Sequence, residues 1–151
     1  MFIGQYKSKL TDKGRIVIPS RFRGELGSPL IVCRWYEGCL SIFTSESWKK
    51  IIDLAVGETL LTSPARDTER FLLGGAFEVD LDNQGRFVLP QALREYAQIV
   101  SELVFVGLRD RIEVWDLGHW DKRDKEIISQ AEDLIRQVQE TKISNIRGMR
   151  S

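Results

Sequence analysis

One stretch of the chain occurs twice, and any fold must accommodate both occurrences. Leu10 to Arg23, LTDKGRIVIPSRFR, returns as Leu81 to Arg94, LDNQGRFVLPQALR. At a shift of 71 positions, Leu10, Gly14, Arg15, Val17, Pro19 and Arg23 fall on Leu81, Gly85, Arg86, Val88, Pro90 and Arg94. Ile16, Ile18 and Phe22 fall on Phe87, Leu89 and Leu93, and upstream Gly4 and Tyr6 fall on Gly75 and Phe77. One residue further out of step, LSIFTSESW (40–48) faces IEVWDLGHW (112–120). Two copies of one unit of roughly 45 residues sit near the lower limit for independent folding, so they are expected to share a core or oligomerise.

The local pattern is the same in each copy. In residues 5–11, Tyr6, Ser8 and Leu10 alternate with Gln5, Lys7, Lys9 and Thr11, which predicts a half-buried strand. Asp12-Lys13-Gly14 predicts a tight turn in which Gly14 takes the positive φ. Arg15 to Ile18 returns as strand until Pro19, which has no N–H to continue a ladder. A short helix over Ser20–Leu26 and strands at Leu30–Cys33 and Leu40–Phe43 follow. Thr44 or Ser45 is expected to cap a helix with Trp48, Ile51, Ile52 and Ala55 on one face, and Ser63 to cap another ending at Gly74-Gly75.

In the second copy Phe77, Val79 and Leu81 are expected to face inward, Asn83-Gln84-Gly85 to turn, and Arg86 to Leu89 to return. Strands at Leu103–Val106 and Ile112–Trp115 precede a last helix carrying Ile127, Ala131, Leu134, Ile135 and Val138 in register. From Lys142 the pattern dissolves into a basic tail expected to be mobile. The predicted class is α+β with a mainly β core, in which the two copies pair short sheets into one small pseudo-symmetric barrel with helices outside.

Composition excludes several function classes. No apolar run approaches membrane-spanning length, and MFIGQYKSK lacks a charged-then-apolar leader, so a cytoplasmic location is expected. Two cysteines, Cys33 and Cys39, and a single histidine, His119, cannot furnish a zinc site at a recognisable spacing, and both thiols are expected to be packing residues. The run from Asp80 to Gly85 resembles a calcium loop, but Gln91 stands where the closing glutamate belongs. No paired carboxylates, phosphate loop or catalytic triad are spaced for chemistry, so neither enzyme activity, cofactor nor small-molecule substrate is expected. The apolar stripes, Trp48 and Trp120 included, are expected to form core or subunit interface.

Net charge is zero, yet unevenly spread. Residues 1–24 carry Lys7, Lys9, Lys13, Arg15, Arg21 and Arg23 against Asp12, a balance of +5. The matching 72–95 carry Arg86 and Arg94 against Glu78, Asp80, Asp82 and Glu95, a balance of −2. An arginine directly after a turn glycine projects from a hairpin tip, where it reaches phosphates or a guanine edge. Arg15 is therefore the first candidate DNA contact, Lys7, Lys9 and Lys13 suit phosphate contacts on the same face, and Arg21 can add another at the helix start. Arg23 and Arg94 recur at one place in both copies, which hints at a structural ion pair. The opposed charges of Lys7 and Lys9 against Glu78 and Asp80 suit a head-to-tail contact between neighbouring copies.

The pattern L-x-x-x-G-R-apolar-apolar-apolar-P-x-x-apolar-R, in tandem copies over nearly the whole chain, resembles the MraZ family, built from two SpoVT-AbrB-type swapped-hairpin domains. The MF-x-G start and the LLGGA stretch (72–76) add to the likeness. On that resemblance the domains run 5–48 and 76–120, joined by a helical linker 49–75 and followed by a helix 121–141 and a tail 142–151. The family's D-x-x-x-R signature, whose arginine is implicated in DNA contact, stands intact as Asp82 to Arg86. In the first copy Thr11 holds the aspartate position, and the carboxylate comes one residue later at Asp12.

The resemblance implies a cytoplasmic, nucleoid-associated transcriptional regulator that forms ring-like homo-oligomers. It would bind repeated short boxes in double-stranded promoter DNA upstream of the division and cell wall operon. Arg86 joins the candidate contacts on this ground, and the first tip is expected to dominate. The rival readings are an antitoxin-like repressor of the same fold with a toxin partner, and an oligomeric scaffold that does not bind DNA.

Overall fold

A computed structural model describes residues 1–57 and 61–149. The part from Met1 to Leu117 is one compact unit, and a second begins at Gly118. The first unit is α+β. Its strands are β1 (Phe2–Lys9), β2 (Arg15–Val17), β3 (Leu30–Arg34), β4 (Leu40–Thr44), β5 (Ala76–Val79), β6 (Arg86–Val88), β7 (Glu102–Arg109) and β8 (Arg111–Asp116). Its helices are α1 (Ser20–Leu26), α2 (Ser45–Val56), α3 (Ser63–Gly74) and α4 (Gln91–Ala97). Six strands form one antiparallel sheet in the order β1-β7-β8-β4-β3-β5, and β2 pairs with β6 in a separate ribbon.

The connectivity shows how two copies become one body. The first strand of each copy pairs with a strand of the other: β1 lies along β7 from Phe2↔Arg109 to Lys9↔Glu102, and β5 lies along β3. The tight turns form as expected, with Thr11 N–H donating to the Arg15 carbonyl at 2.9 Å and Asp82 N–H to Arg86 at 2.9 Å. Beyond the turn, however, the arms part. β2 crosses to its own echo, Ile16 facing Phe87, while Ile18 N–H donates to the Gly85 carbonyl and Leu89 N–H to Gly14.

The expected closed barrel is corrected by this geometry, because β1 and β5 end the six-stranded sheet and the ribbon is a sheet of its own. Both ribbon strands have only three residues and run straight to Pro19 and Pro90, which cannot extend a ladder.

A single core draws on both copies. Ile16, Ile18, Phe22, Leu30, Leu40 and Ile42 from the first pack with Phe87, Leu89, Leu93, Leu103, Phe105 and Ile112 from the second. At about 1.5–3 kcal/mol for each fully buried apolar side chain, neither copy would keep this stabilisation alone. The inward alternation holds for Tyr6, whose ring meets Phe22 edge-on at 5.1 Å. It fails for Phe77, which is exposed: Leu93 stands where Phe22 does in the first copy, so no ring awaits it. Cys33 and Cys39 are buried free thiols, and burial pushes Cys33 up to about 12 and Cys39 higher still, as packing residues require.

Thr44 caps α2 by accepting from the Ser47 N–H at 3.1 Å. For α3 the cap is Thr62, accepting from Ala65 N–H at 3.4 Å, one residue before the expected Ser63. On α2 the inner face holds Trp48 and Val56, while Ala55 is exposed. From Gly118 the second unit is formed by a long helix, α5 (Leu117–Met149), whose first residue closes the first unit and which passes through Lys142 and Arg147. The segment expected to be an irregular tail is therefore helical as far as Met149. Its apolar stripe is not buried core: Ile127, Ile128, Leu134, Ile135 and Val138 are all exposed. None of the described helices is long and apolar enough to cross a membrane.

Candidate nucleic-acid interface

The β2–β6 ribbon has an inner and an outer face because side chains alternate along a strand. Ile16 and Phe87 point into the core. Arg15, Val17, Arg86 and Val88 occupy the other face, where Val88 is exposed and the other three are partly so. Register places Arg15 opposite Val88 and Val17 opposite Arg86. The two arginines therefore stand on one diagonal of a four-residue patch, roughly 7–8 Å apart, and the two valines stand on the other.

The tips are held differently. In the second copy Asp82 Oδ1 accepts from the backbone N–H groups of Gln84 and Arg86, each at 2.9 Å. Its Oδ2 accepts from Arg86 Nε at 2.8 Å. In the first copy Thr11 Oγ1 takes over only the backbone part, accepting from Arg15 N–H at 3.0 Å. A hydroxyl is too short to reach the guanidinium as well. Among the described residues Asp12 forms no ion pair with Arg15, so that guanidinium is left without a carboxylate. The aspartate-to-threonine change keeps the turn and removes the brace.

The Arg86 backbone N–H, followed by the Arg86 guanidinium and the Gln84 N–H, holds the Asp82 carboxyl below the usual carboxylate range. A lowered folded-state pKa stabilises the fold above the unfolded pKa, and the contribution is lost as pH falls through the folded value. Asp82→Asn should thus melt slightly below the parent protein at neutral pH, with the gap closing in acid. A gap that stays constant with pH in paired melting curves would show that the charge contributes nothing.

Lys7 and Lys9 lie exposed on the outer face of edge strand β1, and Lys13 is exposed at the first tip. Arg21 is exposed beside a shallow cleft shared with Tyr6, Lys7 and Val17. Arg23 and Arg94 do something else. Arg23 Nε donates to the Ile18 carbonyl at 2.8 Å rather than to a carboxylate, and its side chain lies over Gly85 of the other copy. A Cβ on Gly14 would likewise meet Arg94 Nη1 at 3.1 Å. Each turn glycine thus combines a positive φ (73° at Gly14, 76° at Gly85) with an arginine packed over it from the other copy. The recurrence of Arg23 and Arg94 signals a structural role, though as arginine over glycine instead of an ion pair. Reasoning along one strand missed Val17 and Val88 as outward neighbours of the arginines; only the cross-copy register brings them together.

A profile for the family described as "MraZ protein, putative antitoxin-like" matches residues 1–71 and again 72–145, dividing the chain where the internal repeat does. The protein named transcriptional regulator MraZ from Thermoanaerobacter pseudethanolicus is 34% identical over 143 residues, covering 95% of this chain and 100% of the relative. Its namesake from Moorella thermoacetica is 36% identical over 138 residues, covering 91% and 96%. That from Halothermothrix orenii is 37% identical over 141 residues, covering 89% and 99%. With both halves matched and relatives aligned end to end, the chain belongs to the MraZ family.

Proposed function

We propose that this chain is a transcription regulator, not an enzyme, that binds double-stranded promoter DNA through the outer face of the β2–β6 ribbon. The observation that carries the reading is the diagonal of Arg15 and Arg86, one from each copy, on a single exposed patch. A two-stranded ribbon fits the major groove, where arginine reads guanine O6 and N7 bidentately. The Val17 and Val88 methyl groups on the other diagonal suit a thymine C5-methyl. Lys7, Lys9, Lys13 and Arg21 supply phosphate contacts that position without specifying.

Arg15 is the stronger candidate of the pair. It lacks a carboxylate and lies in the basic copy, whereas the Arg86 charge is partly offset by Asp82. One such patch binds weakly, and several held on a homo-oligomer bind repeated boxes at high effective concentration. A cytoplasmic, nucleoid-associated location and action on the division and cell wall operon follow from the family likeness. Footprinting on the promoter upstream of the protein's own gene tests the reading, protection of regularly spaced short boxes being the expected result. The family description and the exposed stripe on α5 favour a second reading, in which a toxin-like protein partner covers that helix.

A further inference from the structure

The two ribbon tips follow the same backbone path. Thr11 N–H donates to the Arg15 carbonyl and Gly14 N–H to that of Thr11, each at 2.9 Å. Asp82 N–H likewise donates to the Arg86 carbonyl at 2.9 Å, and Gly85 N–H to that of Asp82 at 3.0 Å. Gly14 and Gly85 both take the left-handed region, at φ 73° and 76°. What separates the tips at the arginine is the side chain four positions before it.

Asp82 anchors Arg86 to the turn. One carboxylate oxygen accepts from the Gln84 and Arg86 N–H groups, each at 2.9 Å, and the other accepts from Arg86 Nε at 2.8 Å. The guanidinium plane is thereby fixed, with Nε occupied and the two terminal nitrogens left as a fork. The Arg86 side chain keeps 34% of its surface exposed, so that fork stays open to a ligand. Arg15 has no such anchor among the described residues, because Thr11 Oγ1 takes only its backbone N–H, at 3.0 Å. The Arg15 side chain therefore keeps its rotamer freedom until DNA binds.

A fixed guanidinium and a mobile one respond differently to a wrong base. On guanine both give the two-bond contact to O6 and N7. Adenine keeps N7 but sets an N6 amino donor where O6 was. A fixed fork then faces donor against donor, and a buried donor left unpaired is costly. A mobile arginine turns aside and keeps the N7 bond. We propose that the side chain four positions before each ribbon arginine sets how strictly that arginine selects its base pair, Asp82 making Arg86 the strict reader and Thr11 making Arg15 a tolerant one. Affinity and selectivity are thus divided between the copies: Arg15 carries a charge that no carboxylate offsets, and Arg86 carries the fixed geometry. Asp82 is a positioning residue, acting through Arg86 without touching DNA. The inference rests on the ribbon as the DNA surface and deepens it, giving each box one strict and one tolerant guanine position.

The test is anisotropy binding of the full-length protein to duplexes of one footprinted box, each G·C pair replaced in turn by A·T. Arg15→Ala and Arg86→Ala assign the pairs, because each erases the penalty at the pair its arginine reads. For the parent protein, replacement should cost about tenfold or more at the Arg86 pair and no more than about threefold at the Arg15 pair. Thr11→Asp rebuilds in the first copy the anchor that the second copy already forms. It should raise the Arg15 penalty to the level of the Arg86 penalty and leave the latter unchanged. Asp82→Asn keeps an oxygen for the two turn N–H groups but offers no acceptor to Arg86 Nε, so the Arg86 penalty should fall to that of Arg15. A common factor on every duplex, intact or substituted, would reduce the carboxylate to a counter-charge and overturn the inference. Equal penalties at the two pairs in the parent protein would overturn it too, while leaving the ribbon as the DNA surface. If the parent protein protects no box, or neither alanine variant erases a penalty, both proposals fall.

Discussion

Arg15→Ala is expected to cost promoter DNA at least about tenfold in affinity, and Arg86→Ala less. A bidentate arginine–guanine contact contributes roughly 1–3 kcal/mol of discrimination, which is about 5- to 150-fold for one engaged patch. On an assembly that grips several boxes at once the loss recurs at each subunit, so the measured drop should exceed the single-site figure. The difference between the two arginines follows from their bracing. Arg86 already donates to Asp82 at 2.8 Å, while Arg15 meets only a threonine hydroxyl, through its backbone. The salt dependence of binding should flatten instead in a Lys13→Ala variant, where a phosphate-facing charge is lost. Anisotropy titrations at two salt concentrations measure both effects. Full affinity in Arg15→Ala would count against the patch as the contact surface.

Gly107→Ala should be the most damaging single-methyl change in the fold. Gly107 lies in β7 opposite Gly4, where β1 and β7 join the two copies. A Cβ there would sit 2.5 Å from the Ile3 backbone nitrogen, 2.7 Å from the Phe2 carbonyl carbon and 2.9 Å from that of Ile3. These neighbours are backbone, so no side chain can swing aside and the strand itself must move. Overpacking costs about 1–3 kcal/mol, and a rigid neighbour places this case at the upper end. For a chain of this size that is a drop of several degrees in Tm, at roughly 2–4 °C per kcal/mol. Gly24→Ala is the matching control, since Gly24 lies within helix α1 and an added Cβ there meets nothing within 4 Å. It should stabilise by about 0.5–1 kcal/mol, through helix propensity. Urea midpoints that moved the same way for both would contradict the close approach of β1 and β7.

Local structure was legible because it is written in short-range patterns. Gly14 and Gly85 mark turns, Pro19 and Pro90 stop strands, Thr44 caps a helix, and Asp82 sits where a carboxylate can reach Arg86. Pairing partners were not legible. Alternation in residues 5–11 shows that Lys7 points out and Tyr6 in, but not that the strand leaves its hairpin for β7 of the other copy. The composite patch was hidden for the same reason, since Arg15 and Arg86 are 71 positions apart and meet only through the β2–β6 register. Periodicity on α5 gave the stripe but not its surroundings, because three- and four-residue spacing looks alike whether the apolar face is buried or waiting for a partner. The packing of Arg23 over Gly85 needed coordinates, for nothing in a charged side chain announces that it will cover a glycine of the other copy.

If one face of the β2–β6 ribbon holds promoter DNA, a footprint shows it most directly. The parent protein should protect regularly spaced short boxes upstream of its own gene, and the Arg15→Ala, Arg86→Ala double variant, folded and assembled like the parent, should protect none at the same concentration. Equal protection by the double variant, or no protection by the parent protein above that of unrelated DNA, would contradict it.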